Sequence, residues 1–532
     1  MKYAVIAIGI ALMAGCSSSG GLGGGDQPLT RAEATDFAET SRYADVVTFL
    51  ETVTADASAL QLTTFGETVE GRVLPLIVWG AEGSSAEAVR ATEKTRVLVF
   101  ANIHAGEVCG KEALQMLARD LAQGQHAAWA DSLVLLVAPI YNADGNERVA
   151  LDNRPGQLGP IGGMGQRPNA QGLDLNRDFM KLAAPESRAL VALMDAYDPH
   201  VVVDLHTTNG TIHAYHLTYA PPLNPNTPAA IDEELRDRWL PAVAEQIAEE
   251  DGWAIEHYGN VPGAFGEATT APRAWYTFDG RPRFGTNYAG LRNRFGILSE
   301  AYSYASFEER VRATKRFVEE VVDYAHAHAS RIRMLTGEAD ATSIVGDSLS
   351  LRATWDALPA PVEIMLGEAD TVYHPVTNAP MLQRRDTRIS ETMPALIRFT
   401  PIERERVPVA YLVPPSLTEV VELLDGHGIH YTRGTQPTPI EIFEVDSVTV
   451  AQREFQGRRS RTLHGYYATL DDASPAEMLI VPLDQPLGRL AFMLLEPRSD
   501  DGIVAWAALR EDHLQAGRTY PIRRIPSPQP RR

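Results

Sequence analysis

At 532 residues the chain exceeds the size at which one hydrophobic core stops growing, which predicts two folded domains behind a short leader. An apolar fraction of 44% and a mean hydropathy of −0.17 exclude disorder on a large scale. A net charge of −21 and a pI near 5.1 argue against a nucleic-acid or anionic-membrane surface, and two cysteines, Cys16 and Cys109, exclude a disulfide framework.

The chain begins with a short basic start, Met1-Lys2, an apolar stretch from Ala4 to Met13 too short to span a bilayer, and the small-residue site Met13-Ala14-Gly15-Cys16. This resembles a bacterial lipoprotein signal in which residues 1–15 are removed and Cys16 is lipidated, with Met13 standing where Leu is usual. An ordinary secretory signal with an incidental Cys is the alternative. Residues 16–30 contain the Ser/Gly run Ser17 to Gly25 and read as a flexible tether. The expected location is the bacterial cell envelope, on its periplasmic or extracellular face, with membrane contact through the lipid alone.

Residues 31–334 read as a first domain. A helix-like segment around Tyr43 to Thr52 precedes two strands, Leu62 to Gly66 and Leu74 to Trp79, paired about the turn Val69-Glu70-Gly71-Arg72. An apolar strand from Thr95 then runs into His104-x-x-Glu107, followed by a helix over Lys111 to Leu121 and a buried strand over Leu133 to Ile140. Strands alternating with helices predict an α/β sheet, where ligands sit at the carboxyl ends of strands.

A His and a Glu on a turn just beyond a strand can face one ion, and a distant His would complete a three-ligand zinc set with an open fourth position. Val201-Val202-Val203-Asp204-Leu205-His206 ends on a His in the required place, with Asp204 on the same strand face. Gly296-Ile297-Leu298-Ser299-Glu300 ends another apolar strand on an acid able to move a proton. Asn176-Arg177 offers amide donors and a guanidinium fork that matches a carboxylate bidentately. Cys109, near the helix start, reads as a small packing residue, because a fourth ligand would close the site.

Taken together, His104-x-x-Glu107, the Asn142-Ala143-Asp144-Gly145 turn, Arg167 before Leu173-Asp174-Leu175-Asn176-Arg177, His206 and Glu300 resemble the zinc carboxypeptidase family, the superfamily of carboxypeptidase A. The resemblance spans nearly all of the first domain and implies an α/β fold with a mixed central sheet flanked by helices. It implies one zinc per chain held by His104, Glu107 and His206, with Glu300 as general base and later general acid. Arg167 would polarise the scissile carbonyl, Asn176 and Arg177 would hold the substrate's free carboxylate, and Tyr288 would be the aromatic residue near the substrate. Tyr276 is the second choice for that last role, and Arg154 competes with Arg167.

The implied reaction is hydrolysis of a peptide bond next to a free C-terminal carboxylate. Asp204-Leu205-His206-Thr207-Thr208 also resembles the related desuccinylase and aspartoacylase branch, so N-acyl amino acids and cell-wall peptides stay open as substrates. A non-catalytic binding module is the remote alternative. The arginines of residues 281–294 could recognise an acidic substrate or simply form a solvated loop.

A helix over Phe307 to Arg333 closes the first domain. Residues 335–532 then change to short β-branched runs separated by Pro, Gly and Asp: Val362 to Leu366, Ala395 to Phe399, Ala410 to Val413 and Ile440 to Val450. This predicts a smaller, mostly β domain with one helix, Leu417 to His427, capped by Ser416. Its histidines, His374, His427, His430 and His464, have no metal-like spacing, so the expected role is structural or substrate-guiding.

Overall fold

A computed structural model of the chain describes residues 27–55, 57–264, 266–471 and 474–528. Cys16 and the leader lie outside the described residues.

The strands around which the molecule is built are Thr95–Ala101, Leu133–Ala138, Val201–Thr208 and Phe295–Tyr302. The first three are buried along their whole length. Continuous runs such as Val97-Leu98-Val99-Phe100 suit strands with both faces covered, which is the setting of a parallel sheet. These four are parallel neighbours in the order Leu133–Ala138, Thr95–Ala101, Val201–Thr208, Phe295–Tyr302.

The sheet is mixed and has eight strands. Leu60–Glu67 and Val73–Trp79 form an antiparallel hairpin on one side, joined about the expected 69–72 turn. Leu217–Ala220 pairs antiparallel with Phe295–Tyr302 on the other, and Ile255–His257 lies parallel beyond it.

Helices Tyr43–Ala55, Cys109–Ala122 and Phe307–Ala327 pack on one face, while Pro185–Tyr197 and Gly285–Leu291 pack on the other. Phe307–Ala327 buries Val311, Thr314, Phe317, Val318, Val321, Val322 and Ala325, an apolar stripe at helical spacing, and Ser306 caps it by accepting from the Glu309 N–H at 3.2 Å. Each such Val or Phe contributes about 1.5–3 kcal/mol by leaving water. Gly110 lets its helix sit close to the strand that carries His206, since a Cβ there would lie 2.8 Å from Leu205 Cβ and 3.0 Å from Ala101 Cβ.

The helix expected to run unbroken to Arg333 ends at Ala327, and a second one covers Ala329–Ala341. His328, at φ −115° and ψ 20°, leaves the helical region with its ring 4.1 Å from Tyr324. The second helix therefore continues past residue 334.

Beyond it, two-stranded antiparallel sheets pair Ser348–Asp356 with Arg398–Arg406, Val362–Leu366 with Ile389–Met393, and Ala369–Tyr373 with Pro380–Arg384. A six-stranded antiparallel sheet follows, in the order Thr432–Thr435, Glu477–Pro482, Ala410–Val413, Arg523–Ile525, Ile440–Val450, Arg461–Leu470. Among the described residues this part holds two α-helices rather than one, Thr418–His427 and Gly488–Leu495. The first starts after Leu417, not Ser416, and has no side-chain cap.

These sheets are joined to the first region. Ala395 and Leu396 pair in parallel with Trp275 and Tyr276, His213 bridges Leu366, and one apolar core runs through both parts.

Candidate active site

Ala101 ends its strand, Asn102 turns the chain at φ +68°, and the Glu107 N–H closes the turn on the His104 carbonyl at 2.8 Å. Gly106 belongs to this turn because a Cβ there would meet Arg154 Cγ at 2.7 Å and the Gly165 carbonyl at 2.8 Å. His206 and Glu300 sit directly opposite each other in the register of the two neighbouring parallel strands. The sheet's carboxyl edge thus gathers residues distant in the chain into one cleft of about 280 Å³, lined by His104, Glu107, Arg154, Arg167, Asn176, Arg177, His206, Tyr258, Phe284 and Glu300 among others.

His104, Glu107 and His206 are buried, and one potential ligand atom from each lies within 4.8 Å of the others. Nδ1 of His104 is 3.0 Å from Glu107 Oε1, and Nδ1 of His206 is 2.9 Å from Glu107 Oε2. The far nitrogens face carboxylates: His104 Nε2 is 3.0 Å from Asp174 Oδ1, and His206 Nε2 is 3.0 Å from Asp204 Oδ2. A carboxylate behind each Nε2 favours the proton there and leaves Nδ1 as the free lone pair, an arrangement typical of metal-ligating histidines. Two imidazole nitrogens and one carboxylate with an open side fit a catalytic zinc ion.

The two carboxyl groups of the cleft are driven apart. Burial would raise Glu107, but His104 and Arg154 hold it well below the ordinary carboxylate range. Arg154 Nη1 reaches Glu107 Oε1 at 3.0 Å, and Thr207 N–H donates to Oε2 at 3.0 Å. Glu300 is pushed up to about 8 by burial, with His206 opposing and the Glu107 charge adding. Its Oε2 is buried with no hydrogen-bond partner among the described residues. Separated acidities on facing groups suit a ligand and a proton carrier respectively.

Arg177 stacks its guanidinium 3.9 Å above the Phe284 ring and donates to the Asn176 carbonyl at 2.6 Å. It makes no ion pair with a carboxylate among the described residues, so it brings an unneutralised cation to the cleft wall. Asn176 also lines the cleft, but its amide oxygen is engaged inward, Oδ1 accepting from the Gly285 N–H at 2.9 Å.

Both rival arginines are present. Arg154 is half-buried and donates to Glu107 and the Thr207 carbonyl. Arg167, with a side chain 40% exposed, gives Nε and Nη2 to Asp174 Oδ2 at 2.9 and 2.8 Å and leaves Nη1 3.7 Å from Glu107 Oε1, facing the cleft.

Tyr288 is not part of the cleft, contrary to the expectation from sequence. It is fully buried on helix Gly285–Leu291, with its hydroxyl 2.7 Å from His427 Nδ1, because the helix turns that face towards Thr418–His427. Tyr276 lines a neighbouring cavity of about 370 Å³. The tyrosine in the cleft is Tyr258, just after strand Ile255–His257, with its hydroxyl accepting from Asn260 Nδ2 at 3.2 Å. Sequence reasoning missed it, since nothing local marks it among 18 tyrosines. Cys109 is buried, with Sγ 3.0 Å from Thr207 Oγ1, and does not line the cleft.

Residues 46–281 match the family model described as zinc carboxypeptidase. These residues carry a zinc carboxypeptidase domain. With this domain the chain is a metallocarboxypeptidase. It is 25% identical to carboxypeptidase 2 of Trichophyton rubrum over 486 residues, covering 86% of this chain and 81% of that protein. It is also 25% identical to carboxypeptidase 2 of Trichophyton tonsurans, with the same coverage. A metallo-carboxypeptidase from Burkholderia cenocepacia superposes on 53% of this chain and 68% of its own, at 17% identity and a TM-score of 0.39.

Proposed function

We propose that the chain is a zinc-dependent exopeptidase that hydrolyses the peptide bond next to a free C-terminal carboxylate. The observation that carries this is Arg177: a guanidinium held on Phe284 without a carboxylate partner among the described residues, in the same cleft as His104, Glu107, His206 and Glu300. A substrate carboxylate would supply the missing charge and match the fork geometry.

Zinc held by His104, Glu107 and His206 would contribute Lewis acidity and an acidified water. Arg154 and Thr207 N–H fix the Glu107 carboxylate, while Asp174 and Asp204 fix the two imidazoles. Glu300, with its unpartnered Oε2, accepts the proton released on attack and passes it to the departing amine. Arg167, through Nη1, donates to the carbonyl oxygen as it gains charge, an interaction worth roughly 3 kcal/mol in comparable sites. Tyr258 closes the cleft beside these groups.

The amidase or deacylase reading uses the same residues. Asp204, which suggested it, lies against His206 Nε2, a contact either branch needs. We further propose anchoring to the cell envelope through Cys16, resting on the Met1 to Cys16 pattern alone. No helix among the described residues is long and apolar enough to cross a membrane. A Cys16→Ser chain is expected to leave the membrane fraction, and its retention there would remove the proposal.

The deciding experiment incubates the chain with peptides bearing free or amidated C-termini, and with N-acyl amino acids, with and without a zinc chelator. Loss of single C-terminal residues from free-acid peptides alone, abolished by the chelator, is the expected result. Hydrolysis of N-acyl amino acids without peptide trimming would establish the deacylase branch instead. No turnover of either by zinc-loaded protein would leave a binding module.

A further inference from the structure

The antiparallel pair Ile440–Val450 and Arg461–Leu470 extends past its last strand register as a long arm. The Ala451 N–H donates to the Ser460 carbonyl at 2.8 Å, and at the tip Phe455 and Arg458 exchange both backbone hydrogen bonds, at 2.8 and 3.0 Å. Only Gln456 and Gly457 lie between them. Both are left-handed, at φ +51° and +73°, as a two-residue hairpin turn matching the strand twist requires. Glycine, asparagine or aspartate fills the first of these places at little cost, whereas an unbranched long side chain such as Gln is strained there.

The strained residue reaches the active site. Gln456 Oε1 accepts the backbone N–H of Asp174 at 2.8 Å, a contact across 282 positions of sequence. Asp174 is the point from which the cleft's groups are oriented. Its Oδ1 faces His104 Nε2 and accepts the Asn176 N–H at 3.0 Å, and its Oδ2 takes Arg167. Beside the tip, the Phe455 ring stacks on Trp506 at 6.1 Å. The Arg283 guanidinium lies 5.6 Å from Phe455 and 4.6 Å from Trp506, and is held by the buried Asp501. The next residue, Phe284, carries Arg177.

We propose that Gln456 is a positioning residue of the active site: the hairpin tip pins the Asp174 backbone, and through it sets the His104 imidazole and the Arg167 guanidinium. The C-terminal region is thereby a working part of the catalytic unit. A buried backbone N–H must find a partner, and this one finds it on the hairpin alone among the described residues, so the Asp174 loop is seated only when the arm is in place. A residue in such a conformation persists only where the surrounding structure holds it there. The inference rests on the zinc reading of the site, and the test separates the two.

Zinc affinity of the full chain is measured by chelator competition, together with apo-protein melting and kcat and KM on a free-acid peptide, for the wild type, Gln456→Gly and Gln456→Glu. Glycine relieves the turn and removes the acceptor, whereas glutamate keeps an acceptor oxygen. Gln456→Gly is expected to bind zinc about tenfold more weakly, the lower end of what indirect support of a ligand is worth. Its kcat is expected to fall by a similar factor with KM within about twofold, since the residue touches no substrate, and the apo-protein should melt no lower than the wild type. Gln456→Glu should stay within about twofold of the wild type in every readout. Wild-type zinc affinity and kcat in Gln456→Gly would overturn the proposal, as would apo-protein melting lowered in step with them, or failure of Gln456→Glu to retain zinc affinity. A wild-type chain that binds no zinc would instead sink the reading of the site itself.

Discussion

Glu300 and Glu496 are chemically alike and functionally opposed. Both are enclosed by protein, burial raises both above the ordinary carboxylate range, to about 8 and about 7, and each keeps one oxygen without a hydrogen-bond partner among the described residues. Their surroundings differ. Glu496 is fully buried, its Oε2 accepting the hydroxyls of Tyr411 at 2.7 Å and Tyr467 at 3.0 Å, with Arg524 stacked 3.3 Å from the Tyr467 ring. Glu300 retains exposure on one side only, where it faces a cleft shared with two histidines and a second carboxylate. A raised carboxyl pKa therefore does not mark a catalytic group. What marks it is a place on the wall of a cleft that a substrate can enter, opposite His206 and beside Glu107.

The largest expected effect breaks this symmetry. Glu300→Gln keeps volume and polarity but cannot carry the proton, so kcat and kcat/KM should fall together by about 10³, while zinc content measured on the same sample stays unchanged. Glu496→Gln should leave both constants within about twofold. Equal losses in the two variants would show that the contrast is not functional.

The second effect is read in stability, with Glu496 as the group tested. Its carboxyl lies near 4.5 in the unfolded chain and is raised to about 7 in the fold, so between those values the folded state binds more protons than the unfolded one. Stability from this group is complete below about pH 4.5 and is lost as pH rises through about 7, a change of a few kcal/mol at about 1.4 kcal/mol per unit. Denaturant unfolding between pH 5 and 8 should show a falling contribution in the wild type that the Glu496→Gln variant lacks. Parallel pH profiles for wild type and Glu496→Gln would contradict the assignment.

What could be read from the sequence follows from locality. The four parallel strands are apolar runs that end on polar residues, and His104, Glu107, His206 and Glu300 sit at those ends, so the edge of the sheet brings them together. Features set by distant contacts gave no such signal. Tyr258 enters the cleft because of a short outer strand, and Gln456 reaches Asp174 from the other end of the chain. Helix Gly488–Leu495 is buried on all sides, so its apolar run lacks the 3.6-residue period that reveals a surface helix. The break at His328 depends on the backbone of one residue and has no compositional mark.

Tyr288 gives the smallest and sharpest contrast, because the sequence places it in the cleft and the fold places it between the two regions. Its hydroxyl meets His427 Nδ1 at 2.7 Å, His427 Nε2 lies 3.2 Å from the Met180 carbonyl, and burial pushes this histidine down to about 3. A neutral imidazole whose Nε2–H donates to Met180 leaves Nδ1 to accept from the tyrosine. Tyr288→Phe removes that donor from a buried acceptor and should cost about 1–3 kcal/mol of unfolding free energy, with kcat/KM unchanged. Tyr258→Phe should do the reverse, leaving stability within about 0.5 kcal/mol and changing the kinetics. Lost activity with unaltered stability in Tyr288→Phe would return that residue to the cleft and overturn the separation between the two tyrosines.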